Sequence, residues 1–93
     1  MVHVLEQKLS MWDLMKLNVT YGENRQLMNH LEYLIKNGIV LHNNKQGFMY
    51  RLLSYSYTDT FIDNSRTFRF EIEIVQGLEE GVNIEYFPLL QVS

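Results

Sequence analysis

The stretch NRQLMNHLEYLIKNGIVLHNNKQGFMYRL, Asn24 to Leu52, decides how this chain folds. Leu27, Leu31, Leu34 and Ile35 recur at i, i+4, i+7 and i+8, which is one face of an α-helix. That helix is expected over about residues 23–37, opened by a capping box between Thr20 and Glu23. Asn37-Gly38 ends it, because glycine takes the left-handed conformation without steric cost. Ile39 to Leu41 then reads as a strand, Asn43 to Gly47 as a polar turn, and Phe48 to Tyr57 as the return strand. Phe48, Tyr50 and Leu52 share one parity, and Leu53, Tyr55 and Tyr57 the other. The switch predicts a β-bulge near Leu52-Leu53.

Upstream, Val2, Leu5 and Leu9 follow helical spacing, so a short first helix is expected. Ser10-Met11-Trp12-Asp13 has the form of a capping box, with Leu9 and Leu14 placed as a hydrophobic staple. A new helix is therefore expected at Met11, turning Met11, Leu14, Met15 and Leu17 inward and using Trp12 as a core anchor. One unbroken helix from Val2 to Leu17 is the other reading of the same residues. Asn18 to Gly22 reads as the break before the next helix.

Downstream, Asp59 to Ser65 reads as a loop. Arg66 to Gln76 alternates, with Phe68, Phe70, Ile72 and Ile74 inward and Arg69, Glu71 and Glu73 outward. Gly77 to Gly81 reads as a turn, and Val82, Ile84 and Tyr86 as another strand, ending near Pro88. Phe87, out of phase, is expected with Leu53 in an exposed apolar patch. The fold class is α+β: two or three N-terminal helices followed by a four-stranded, mostly antiparallel sheet.

With 93 residues the chain is expected to be a single domain, 1–93. The absence of cysteine removes disulfides and thiolate chemistry. His3, His30 and His42 lack metal-ligand spacing, and neither a glycine-rich phosphate loop nor a nucleophile elbow occurs. These observations predict a non-enzymatic protein without a cofactor. Glu6, Lys8, Asp13 and Lys16 interrupt the apolar positions of the first twenty residues, so neither a signal sequence nor a membrane span is expected. A cytoplasmic protein is the expectation. The net charge is −3, but it is segregated. Residues 24–51 hold Arg25, Lys36, Lys45 and Arg51 against Glu32, whereas residues 67–93 hold Arg69 against Glu71, Glu73, Glu79, Glu80 and Glu85. A basic working surface and an acidic face turned from any polyanion would follow.

Leu27, His30-Leu31, Leu34, Gly38-Ile39-Val40, Gly47 and Tyr50-Arg51-Leu52 resemble the recognition helix and wing of winged helix-turn-helix DNA-binding proteins. The resemblance covers residues 10–52, the helix-turn-helix plus a wing-like hairpin, and leaves 53–93 as additional strands. It implies that Arg25, Gln26 and Asn29 contact base edges and that Lys36, Lys45 and Arg51 meet phosphates, with duplex DNA as partner and a possible homodimer. A second reading makes the chain a protein-binding module or inhibitor. It would use its sheet edge and the acidic surface of Glu71, Glu73, Glu79, Glu80 and Glu85, with Phe87, against a partner such as a nucleic-acid-binding enzyme.

Overall fold

A computed structural model of the chain describes residues 2–22, 24–77 and 83–90. In chain order it holds strand β1 (Val2–Ser10), helix α1 (Met11–Tyr21), helix α2 (Arg25–Lys36), and strands β2 (Val40–Asn43), β3 (Phe48–Thr60) and β4 (Ser65–Gln76). The four strands form one antiparallel sheet in the order β1-β4-β3-β2. The α+β class stands, with two helices and four strands, but the position of one strand differs from expectation.

That strand is β1. The spacing of Val2, Leu5 and Leu9 mimics a helix, yet these residues pair with β4 along their whole length, from Val2 opposite Glu73 to Ser10 opposite Ser65. The pairing turns His3, Leu5, Gln7 and Leu9 toward the helices and leaves Val2, Val4, Glu6 and Lys8 on the open face. Central strand β4 needs a neighbour on each side. Satisfying its backbone outweighs a weak local helical pattern that β-branched Val2 and Val4 already oppose. The fourth strand expected around residues 82–86 does not form at 83–86, where the chain is extended but unpaired in any ladder. Val82 and the rest of the turn after Gly77 lie outside the described residues, as does Glu23 of the second expected capping box.

The first capping box is present. Ser10 Oγ accepts from the Asp13 amide at 3.3 Å, and the Asp13 carboxylate accepts from the Ser10 amide at 3.4 Å. Ser10 thus closes β1 and opens α1 at once. Helix α1 then runs four residues further than expected, to Tyr21. Thr20 lies inside it, donating to the Lys16 carbonyl, so it caps nothing. Leu17 is buried and Leu14 half-buried, but Met11, Met15 and Trp12 face solvent, against expectation. Helix α2 buries Leu27, Leu31 and Leu34. It ends in a Schellman motif: the Ile39 amide donates to the Leu34 carbonyl at 3.1 Å and the Gly38 amide to the Ile35 carbonyl at 3.3 Å. Gly38, at φ 58°, supplies the left-handed turn this requires.

The bulge occurs where the parity switches. Leu52 opposes Ile72 and Ser54 opposes Glu71, so Leu53 is the extra residue. Ahead of it Phe48, Tyr50 and Leu52 point toward the helices. Beyond it Tyr55, Tyr57 and Asp59 do so, paired with Phe70, Phe68 and Arg66. The core lies between this face and its covers, with Phe48, Phe68, Phe70 and Ile72 wholly buried. Strand β3 continues to Thr60, which shortens the expected loop to residues 61–64.

Two covers are the helices. The third is the extended segment 83–90. Phe87, expected to be exposed, is half-buried with its ring centroid 5.3 Å from Tyr50 and 5.9 Å from Phe70. Side-chain amides replace the missing ladder. Asn43 donates to the Tyr86 carbonyl at 2.7 Å, and the Tyr86 amide donates to Gln46 Oε1 at 3.0 Å. Gln7 donates to the Leu90 carbonyl at 2.7 Å and accepts from the Leu90 amide at 3.1 Å. Each pair imitates a peptide group facing the segment. Asn43 Oδ1 also accepts from the Lys45 and Gln46 amides, so one buried side chain shapes the β2–β3 turn and holds the segment.

Gln7→Ala removes both hydrogen bonds to Leu90 and should cost ~1–3 kcal/mol in denaturant unfolding. Gln7→Glu keeps the acceptor and loses the donor, so its deficit relative to the parent chain should be larger at neutral pH than under acid conditions where the new carboxyl is protonated. Unchanged stability in both variants would show that Gln7 does not hold the segment.

Candidate nucleic-acid interface

Burial of Leu27, Leu31 and Leu34 against the sheet fixes the roll of α2. Arg25, Gln26, Asn29, Glu32, Tyr33 and Lys36 are left exposed. Met28, between them on the helix, is half-buried against the core. Among the described residues, Arg25, Gln26, Asn29 and Lys36 enter no side-chain hydrogen bond or ion pair.

The two helix starts differ electrostatically. At α1 the Asp13 carboxylate answers the positive end of the helix. At α2 the N-cap is Asn24 in the left-handed conformation, at φ 67°, and its side chain caps nothing. The Arg25 amide reaches only the Gly22 carbonyl, at 3.2 Å. No acidic residue lies in the first turn of α2. An anion beside this end would meet backbone amides and the Arg25 guanidinium.

Beside it the sheet contributes a second group that sequence reasoning did not assemble. A cleft of about 350 Å³ is lined by Asn24, Arg25, Met28, Asn29, Tyr57 and Arg66. Arg66 lies over the Tyr57 ring, its guanidinium carbon 4.2 Å from the centroid. Asp59 holds it there, accepting from Arg66 Nε at 2.6 Å and from Nη2 at 3.2 Å. The hydrogen bond from Arg66 keeps the Asp59 carboxyl below its ordinary range, and the same bond pushes the Arg66 guanidinium up. The signal was present: beyond a bulge at Leu53, Tyr57 and Asp59 change sides, and Arg66 shares the parity of Phe68.

The other expected residues do not join this group. Lys45 is exposed at the β2–β3 turn, with its ammonium 4.3 Å above the Tyr86 ring. Arg51 lies on the open face of the sheet, in the row Val2–Glu73–Arg51–Val40, and pairs with Glu73 at 3.5 Å. Glu71 is on that face too, accepting from Ser54 Oγ at 3.1 Å. Glu85 is exposed on the segment that covers the helix side, and Phe87 is tucked beneath that segment. Glu79 and Glu80 lie outside the described residues. No helix among the described residues is long and apolar enough to cross a membrane, and no cluster of potential metal ligands occurs among them. Comparison with known protein families, curated proteins and solved structures gives no match.

Because the pKa of Asp59 is lowered in the folded state, its hold on Arg66 is complete above the ordinary aspartate range. It is lost as pH falls through the depressed value. Arg66 side-chain protons should therefore carry a ring-current shift from Tyr57 at neutral pH that fades below that value and is lost in Asp59→Asn. A shift that persists in Asp59→Asn would show that the carboxylate does not position the guanidinium.

Proposed function

We propose that the protein is a small non-enzymatic module that binds duplex DNA with the exposed N-terminal half of α2. The observation that carries this reading is that Arg25, Gln26 and Asn29 stand exposed together at one helix start whose N-cap side chain makes no capping hydrogen bond. Arginine matches guanine bidentately, and glutamine or asparagine matches adenine. Phosphates beside it would meet the first amides of α2 and the Arg66 edge of the cleft, whereas Lys36, in the last turn of the helix, lies outside this contact. Arg51 belongs to the opposite face and is left out of the contact set. Glu32, exposed on the same helix, disfavours phosphate nearby and limits the contact to the first turns. The reading as an acidic inhibitor has less support, because Glu71 and Glu73 on one face and Glu85 on the other supply no single surface among the described residues.

Fluorescence anisotropy with a labelled duplex tests it. Binding should weaken with salt at a log–log slope of roughly −3 to −4, as expected for a few phosphate contacts. Arg25→Ala and Asn29→Ala should each cost ~1–3 kcal/mol on a preferred sequence, while Arg51→Ala changes nothing. Absence of binding at low salt, or an Arg51→Ala loss equal to that of Arg25→Ala, would contradict the reading.

A further inference from the structure

The outward side of α1 is apolar. Trp12, Met15 and Val19 stand at i, i+3 and i+7, one stripe of the helix, and are 66, 55 and 86% exposed. With Lys16 they line a shallow apolar cavity of about 180 Å³. Met11, half in solvent, extends the stripe. It shares a second cavity, about 170 Å³, with Phe61 of the β3–β4 turn. Phe61 and its neighbour Ile62 are 86 and 98% exposed. These side chains together present on the order of 800 Å², more than the largest apolar patch of an ordinary monomer and about what one partner gives to a standard interface.

We propose that a second copy of the same chain covers this surface, with α1 packed antiparallel on the α1 of its partner about a two-fold axis near Met15 and Lys16. A two-fold interface has to be self-complementary. That axis sets Trp12, the largest side chain of the stripe, opposite Val19 of the second copy, the smallest, with adaptable Met15 at the centre. The helix carries one acid, Asp13, and one base, Lys16, so its rim is near neutral and favours neither a strongly acidic nor a strongly basic partner. A lipid surface calls for several Lys or Arg flanking the apolar stripe, and α1 offers Lys16 alone. No nucleic-acid contact enters this interface, which is independent of the DNA reading.

Trp12 is the only tryptophan, so its emission reports on this interface alone. Sedimentation equilibrium should show a monomer–dimer equilibrium. Over the same concentration range Trp12 emission should move to the blue and its quenching by acrylamide should fall. Val19→Glu should weaken the dimer by more than about tenfold. Its circular dichroism and unfolding in dilute solution should stay as in the parent chain, since Val19 lies outside the core. A monomer at every concentration up to the submillimolar range would overturn the proposal. So would a dimer in which Trp12 stays fully quenchable, or a blue shift on adding anionic vesicles to a chain that remains monomeric without them.

Discussion

One face of the β3–β4 ribbon is almost entirely apolar and has to be kept from water. Phe48, Tyr50 and Leu52 on one strand and Phe68, Phe70 and Ile72 on the other are buried, and two strands alone cannot bury them. Each remaining element is placed by this demand. Helix α1 closes one part of the face through Leu17, and α2 another through Leu27 and Leu31. The segment 83–90 closes more of it through Phe87 and Leu90. The opposite face stays open, with Glu73 and Arg51 paired across it and Val4, Glu71 and Ser54 in the next row.

The same demand fixes the candidate interface. Because α2 must turn its leucines to the sheet, Arg25, Gln26 and Asn29 are turned away from it. Because β3 changes parity at Leu53, Tyr57 and Asp59 arrive on the helix side beside them. Without the bulge, Tyr57 and Asp59 would lie on the open face, Arg66 would lose both its stacking ring and its carboxylate, and the cleft would have only one wall. A register irregularity in a strand thereby couples to the chemistry at a helix start.

Much of this was legible in the sequence where the signal is local. The Ser10–Asp13 capping box, the leucine face of α2, the Gly38 stop, the bulge and the alternation of β4 each rest on a few neighbouring residues, and each is found. Errors arose where distant partners decide. The Val2, Leu5 and Leu9 spacing gave no hint of the edge of β4 to which β1 pairs. The alternation of Ile84 and Tyr86 reads as a strand, but Asn43 and Gln46 supply the partners of Tyr86, and Gln7 those of Leu90, from side chains 43, 40 and 83 positions away. Residue type alone places Trp12 in the core, and only the roll of α1, set by Leu14 and Leu17, turns it to solvent. Of the expected DNA contacts, Arg25, Gln26 and Asn29 share a surface because one helix carries them. Arg51 lies on the other face, which follows from strand parity once Tyr50 and Leu52 are inward.

The account turns on whether α2, and not the open sheet face, meets a polyanion. Amide and side-chain chemical shifts recorded during titration with a short duplex at low salt test this most directly. Perturbations should concentrate at Gln26, Asn29 and the Arg25 and Arg66 guanidiniums, leaving Val4, Glu71 and Ser54 unmoved. Shifts centred on that open-face row, or none at all, would contradict it.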